Sequence, residues 1–459
     1  MNRVIISMNK DRIIRLCQGA LNVEKFYGKN FSNMYEFLQE SQWWSEEKLK
    51  EYQLEKLKNI IVYAYENVPY YKNLFDEHKI DAYNINRFED IKKIPYLTKE
   101  IIKENIDDLY NINYPKYKIE YKTTGGSTGT PMGLYQDRFY TRQVEQAFVS
   151  DMWSRVGYDK NRKQKIVYLR GIRIKNQLER NFNNLILNSF LLTEKNYLEY
   201  LEAIKKFKPD FINGYPSILY IFSKYIVENN IEINIPDLKA ILLTSENVYD
   251  FQREVIEKAF KVRTYSFYGH TERACIGGEC EKSTNYHITP QYGYTELINE
   301  KGEDSKIDGE YVEIVCTGFI NPVMPFIRYK TQDIAINSTE KCSCGRNYKI
   351  IKKIEGRTQD FVFDNENNMK SFTCQDEPLW SIKEKIVAYQ YIQEKPGEIL
   401  LNIQPKFKLT CDEISNVELD FKNTFNGFNL KINLVDEIKK NHNGKFRYLK
   451  QKIKNQVFK

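Results

Sequence analysis

AILLTSE, residues 240–246, belongs to a series of short apolar runs between Thr123 and Asp333, with IVYLR (166–170) before it and YVEIVCTG (311–318) after it. Helical stretches lie between several of these runs. Strands alternating with helices predict an α/β core, a sheet with crossover helices packed on it. Upstream the pattern changes: Leu54, Leu57, Ile60, Ile61 and Ala64 recur at spacings of three and four, and Pro69 and Pro95 punctuate the sequence. That periodicity predicts helices. Downstream of Gly356, IVAYQYIQ and EILLNIQP flank the turn signal Glu394–Gly397, and a helical stretch and a last strand, LKINLVD, follow. A small α+β domain fits there. The expected organisation is a helical lead-in over 1–107, a core over 108–356, a hinge region over 357–368 and a small C-terminal domain over 369–459.

The 459 residues allow two to three domains at roughly 150 each. With 41% hydrophobic and 29% charged residues, the composition is that of an ordinary globular protein and excludes a disordered chain or a fibre. The net charge of +7 is spread over many short stretches, densest from Lys439 to Lys459. A nucleic-acid binder concentrates its charge on one face, so the basic tail reads as solvated surface and no nucleic-acid partner is expected. Met1–Asn22 alternates apolar and charged side chains too often for the core of a signal peptide. The longest uncharged apolar stretch, Asn181–Thr193, falls far short of the roughly 20 residues that span a bilayer. A cytoplasmic protein without a transmembrane segment is expected. Eight cysteines are sparse, and in a reducing compartment paired thiols point to metal ligands more than to disulfides.

The strongest local signal is TTGGSTGTP, Thr123–Pro131, whose glycines and hydroxyl residues leave backbone N–H groups free to wrap an anion such as phosphate. It is not a Walker A loop, because no Gly-Lys-Ser/Thr ends it, and it lacks the spacing of a dinucleotide fingerprint. The alternative, for the loop standing alone, is a flexible hairpin rich in Gly and Ser.

It does not stand alone. The loop resembles the T-S-G-S-T-G-x-P signature of the adenylate-forming superfamily, and YGHTE, Tyr268–Glu272, resembles its Y-G-x-T-E. PFIRYKTQD, Pro325–Asp333, is similar to R-Y-x-T-G-D, and EGRTQD, Glu355–Asp360, to the G-R-x-x-D before the hinge. NGKFR, Asn443–Arg447, looks like the Gly-Lys that carries a mobile catalytic lysine, and Leu54–Phe75 reads like the helical opening of the phenylacetate–CoA ligase-like branch, which includes capsular polysaccharide biosynthesis proteins. The resemblance covers most of the chain. It implies a large N-terminal adenylate-forming domain with mixed sheets and a small, mobile C-terminal domain. Two positions depart from the pattern: Met132 stands where many relatives have Lys, and Gln332 replaces the usual Gly before the aspartate.

The resemblance further implies that a carboxylate attacks the α-phosphorus of ATP, leaving an acyl-adenylate whose acyl group passes to CoA or to an amine. Thr124, Gly126, Ser127, Thr128 and Gly129 would then cradle the β and γ phosphates. Glu272 would hold Mg²⁺, a hard cation that prefers carboxylate oxygens, and Thr271 would donate to the α-phosphate. Tyr268 and Gly269, with Ser245 and Glu246, would form the adenine pocket. Asp333 would accept the ribose hydroxyls and Arg357 would add a ribose or phosphate contact. Lys445 would neutralise the pentavalent α-phosphate and withdraw when the small domain rotates. His270 would shape the acceptor pocket.

Pocket residues for the acid would come from Tyr135–Arg173, Asn213–Ser217 and the surroundings of Phe267. Aromatic surroundings would suit an aryl acid, whereas Arg170, Arg173 and Asn213 would suit a sugar or amino acid. Cys280 with His287 and Cys342 with Cys344 make a tetrahedral set for a structural Zn²⁺, with Cys275 as a spare. The alternative is reduced thiols beside a core histidine. A monomer or a homodimer fits the sequence. The other functional class is a degenerate nucleotide-binding or scaffolding relative in polysaccharide biosynthesis. Retention of Glu272, Asp333, Arg357 and Lys445 argues against it.

Overall fold

The computed structural model describes residues 12–123, 132–172, 174–189, 191–192, 196–357, 361–366, 369–372, 377–425, 427–439 and 447–453. Residues 12–20 are helical and lead into α1 (Val23–Tyr27), α2 (Lys29–Ser41), α3 (Glu46–Asn67), α4 (Pro69–Glu77) and α5 (Lys99–Glu104). Helix α3 is capped at its start by Ser45, whose hydroxyl accepts from Lys48 N, and ends two residues before Pro69, which opens α4. Its apolar stripe, Leu49, Leu57, Ile61 and Ala64, is buried. Helices α3 to α5 cover the antiparallel half of the main sheet, where Leu57, Ile61, Tyr71 and Phe75 share a core with Ile314, Phe326 and Tyr329.

The strands, in chain order, begin with the hairpin β1 (Ile119–Thr123) and β2 (Gly133–Asp137). Next come β3 (Ile166–Leu169), β4 (Leu178–Asn181), β5 (Asn184–Leu187), β6 (Phe211–Gly214), β7 (Ala240–Leu243) and β8 (Thr264–Gly269), with helices α6 (Tyr140–Ser154), α7 (Tyr197–Phe207), α8 (Pro216–Glu228) and α9 (Asp250–Phe260). The run AILL is thus a fully buried central strand, as its unbroken apolar character requires. Then follow β9 (Ile276–Gly278), β10 (Tyr286–Ile288), β11 (Gly293–Ile298), β12 (Tyr311–Gly318), β13 (Tyr329–Ser338) and β14 (Lys349–Arg357).

Among the described residues β3 to β14 form one sheet in the order β11-β12-β13-β14-β10-β9-β8-β7-β6-β3-β5-β4. From β5 through β3, β6 and β7 to β8 the neighbours are parallel, with α7, α8 and α9 packed over them. From β8 to β11 they are antiparallel. Strand β8 is therefore where the sheet changes character, and the crevice beyond the carboxyl ends of parallel strands is where open α/β sheets bind ligands.

The C-terminal part has its own core around Tyr391, Leu401, Val417 and Phe421. A hairpin of β15 (Phe361–Phe363) and β16 (Met369–Ser371) precedes a sheet of β17 (Ile386–Lys395), β18 (Glu398–Pro405), β19 (Asn429–Leu434) and β20 (Leu449–Gln451), with α10 (Cys411–Thr424). Two expectations need correction here. The span 357–368 is more than a polar connection, because β15 lies inside it. LKINLVD is not the last strand, because Leu449–Gln451 returns parallel to β17. Among the described residues no helix is long and apolar enough to cross a membrane.

Candidate active site

The end of β8 delivers the YGHTE segment. Gly269 and Thr271 are exposed, whereas Glu272 turns inward and is only 5% exposed. Tyr329 Oη donates to Glu272 Oε1 at 2.8 Å, and His270 Nδ1 lies 3.4 Å from Oε2. Burial works to raise the carboxyl, but the His270 ring, the Lys99 charge and the Tyr329 hydroxyl outweigh it and hold Glu272 at about 2. A buried carboxylate that stays ionised beside exposed Thr271 is a donor set suited to a hard divalent cation.

The second carboxylate comes from β13. Asp333 is 8% exposed and accepts from Tyr268 Oη at 2.7 Å through Oδ2. Burial and the Asp333 charge push the Tyr268 phenol well above its ordinary value, so it remains a donor. In the β13–β14 ladder Asp333 sits directly opposite Arg357. The residue before it, Gln332, has φ +65°, in the left-handed region where the family pattern places glycine. Lys99 Nζ donates to the Gln332 Oε1 and to the Thr331 carbonyl, both at 3.2 Å. Met132, 2% exposed, is a core residue, which explains an apolar side chain where relatives carry lysine.

Ser245, just past β7, is exposed and also left-handed at φ +65°. Glu246 accepts from Ser217 N at 3.0 Å and from Ser217 Oγ at 3.1 Å, a carboxylate on the N-terminus of α8. The C-terminal domain docks beside it: Tyr448 packs edge-on against Tyr249 and Phe251, both ring centroids 6.2 Å away, and Lys224 Nζ donates to the Lys383 carbonyl at 2.7 Å. Lys445 lies outside the described residues, three positions before Tyr448. Thr124, Gly126, Ser127, Thr128 and Gly129 also lie outside them. They connect β1 to β2, whose register pairs Thr123 with Gly133. Asn213 is fully buried, donating to the Leu242 carbonyl at 2.9 Å between β6 and β7.

The four predicted metal ligands converge. The ligand atoms of Cys280, His287, Cys342 and Cys344 all lie within 4.8 Å of one another. Cys280 and Cys342 sulfurs are 3.6 Å apart, and Cys344 Sγ is 3.4 Å from His287 Nε2. A disulfide would bring sulfurs to about 2.05 Å. Tetrahedral zinc with Zn–S of about 2.3 Å and Zn–N of about 2.0 Å would hold such pairs roughly 3.5–3.8 Å apart, and the two quoted spacings lie within about 0.1 Å of that range. His287 Nδ1 contacts the Asn285 carbonyl at 3.0 Å, which places the proton there and the lone pair on Nε2. Burial and the Arg155 charge lower His287 to about 4, so the ring is neutral. Cys275 lies elsewhere in the core, accepting from Thr295 Oγ1 at 3.4 Å.

Residues 365–452 match the family model described as the CapK C-terminal domain. Protein CapK of Staphylococcus aureus is 25% identical over 361 residues, covering 77% of this chain and 78% of that protein. A phenylacetate–coenzyme A ligase of Thermus thermophilus is 23% identical over 369 residues, 77% of this chain and 80% of that protein. A solved 2-hydroxyisobutyryl-CoA ligase, in the postadenylation state with R3-HIB-AMP, superposes with a TM-score of 0.69 at 16% identity over 91% of this chain and 90% of that one. Over about three quarters of its length the chain is thus similar to CapK and to phenylacetate–coenzyme A ligase, which supports the adenylate-forming superfamily that its motifs resemble. The structural likeness carries the fold, the large mixed sheet with a smaller C-terminal sheet domain.

Two residues at this site had no sequence signal of their own. Lys99 is one lysine among many, and only the bridge between Leu97 and Tyr329 brings it beside β13. Tyr329 sits inside the recognised RYKTQD segment, yet its hold on Glu272 is visible only in three dimensions.

Proposed function

We propose that the chain is an ATP-dependent, AMP-forming carboxylate ligase of the cytoplasm. A carboxylate oxygen bonds to the α-phosphorus as the bond to the β-phosphate oxygen breaks and pyrophosphate leaves. A CoA thiol or an amine then takes the acyl group, releasing AMP and a proton. The observation that carries this reading is the pair of buried carboxylates, Glu272 and Asp333, each with a tyrosine hydroxyl bound to it at the switch strand.

In this reading Glu272 holds Mg²⁺, which when bound neutralises phosphate charge, and exposed Thr271 donates to the α-phosphate. Asp333 accepts the ribose hydroxyls, with Arg357 on the facing strand. Tyr268, Gly269, Ser245 and Glu246 surround the adenine. Thr124, Gly126, Ser127, Thr128 and Gly129 hold the outer phosphates, and Lys445 is the catalytic cation brought in by the C-terminal domain. Cys280, His287, Cys342 and Cys344 hold a structural zinc. The acceptor step serves cell-surface polysaccharide assembly.

The test is acid-dependent exchange of labelled pyrophosphate into ATP, with pools of aryl, fatty, amino and sugar acids. Exchange should fall by roughly 10² to 10³ in Lys445→Ala, with ATP affinity retained. An exchange rate above half that of the wild type in this variant would overturn the role of Lys445. Nucleotide binding with no exchange in any pool would favour a scaffolding relative.

A further inference from the structure

A cavity of about 340 Å³ lies against one face of the parallel half-sheet, between it, α6 and the chain from Arg15 to Tyr27. Its wall includes Thr244 and Phe267, the chain neighbours of Ser245 and Tyr268, so it adjoins the proposed adenine pocket. Ile166, Tyr168 and Arg170 reach it together because alternate residues of a strand share a face. Four arginines line it, Arg15, Arg142, Arg162 and Arg170, and no aspartate or glutamate does. Arg15 pairs with Glu179, outside the wall, at 3.1 Å. For the other three no acidic partner is present among the described residues.

Two of those three are braced by aromatic rings. The Arg142 guanidinium lies 6.0 Å from the Tyr27 ring centroid and that of Arg170 5.2 Å from Tyr168. Cations facing one volume without a counter-ion repel one another, so the arrangement suits an anionic occupant. The reacting carboxylate alone does not answer it, because that group loses its charge on becoming an acyl-adenylate. A second group must keep a negative charge throughout. Two buried polar atoms in the same wall, Trp153 Nε1 and Gln164 Oε1, also lack a partner among the described residues. One donates and the other accepts, which suits hydroxyl substituents.

We infer that this cavity takes the acyl substrate and that the substrate is a carboxylic acid bearing a second anionic group, a carboxylate or a phosphate. The assignment to the acyl substrate, and with it the call for a charge that survives adenylation, rests on the ligase reading; the preference for the more highly charged anion rests on the cavity's arginines. Binding is measured calorimetrically with dicarboxylates from succinate to adipate, each against its monomethyl ester, and with 3-phosphoglycerate against glycerate, alongside phenylacetate. At least one doubly charged acid should bind about tenfold or more tighter than its singly charged counterpart, as loss of an arginine-paired charge predicts. The two series show whether carboxylate or phosphate is the second group.

In an Arg142→Gln/Arg170→Gln double variant that preference should collapse while AMP affinity persists. Equal binding of the members of every pair, or tighter binding of phenylacetate, overturns the inference. Selective binding without pyrophosphate exchange supports the cavity's selectivity and overturns the ligase reading instead.

Discussion

The Tyr268 hydroxyl donates to Asp333 Oδ2 at 2.7 Å although three strands, β9, β10 and β14, separate β8 from β13 in the sheet. In a flat sheet four strand spacings amount to roughly 19 Å. The antiparallel half must therefore curl until its strands face each other, and the Tyr329–Glu272 bond spans the same gap. Each carboxylate meets a tyrosine from across the gap because the sheet bends.

Tyr268→Phe removes a hydrogen bond to a buried charged group. It should lower stability by about 1.5–3 kcal/mol in urea unfolding and weaken AMP binding, since Asp333 would be less firmly placed. Unchanged stability and unchanged AMP affinity would show that the bond does not organise the site.

Glu272 carries the pH dependence. Its carboxyl titrates at about 2 in the folded chain against an ordinary 4.5. A depressed folded value gives stability that is present above 4.5 and lost as pH falls towards 2, about 3 kcal/mol in total. Glu272→Gln should flatten the stability profile between pH 4.5 and 2 and lower Mg²⁺-dependent exchange by about 10² or more. Parallel acid profiles for the variant and the wild type would contradict this account of the site.

The sequence carried the fold where local pattern and burial agree. AILL, VEIVCTG and the stripe through Leu57, Ile61 and Ala64 are buried as their apolar pattern demands. It failed where an element exists only through its neighbours. Leu449–Gln451 is three residues long and is a strand because β17 lies beside it. The site divides the same way. YGHTE and RYKTQD are contiguous and readable, whereas the hold of Glu246 on α8 joins residues 29 positions apart and Lys99 reaches Gln332 from 233 positions away. The convergence of Cys280, His287, Cys342 and Cys344 was readable because cysteine and histidine are rare enough in this chain to be paired by inspection.

Gln332 shows what a missing glycine means. At φ +65° an unbranched side chain is tolerated at a penalty, here offset by the 3.2 Å bond from Lys99, but a β-branched one is a steric outlier. Gln332→Val should destabilise by about 1–2 kcal/mol and Gln332→Gly should stay within about 0.5 kcal/mol of the wild type, its backbone gain balancing the lost bond. Equal effects of the two in denaturant unfolding would mean that the left-handed turn is not maintained.

The cysteine–histidine cluster ties the β9–β10 region to the loop before β14, far apart in sequence and close to the strands that carry Tyr268 and Arg357. With four ligands and no open position, bound zinc would be structural rather than catalytic. Protein purified without chelator should contain one zinc per chain by mass spectrometry. Cys342→Ser or Cys344→Ser should abolish that metal and lower Tm by about 5 °C or more, while Cys411→Ser, at an exposed and isolated thiol, should change neither. Because the cluster does not touch the carboxylate pair, any metal-free protein that remains folded should still bind AMP. Wild-type protein purified free of zinc, with a Tm that neither added zinc nor the cysteine substitutions change, would reduce the four residues to thiols beside a neutral histidine.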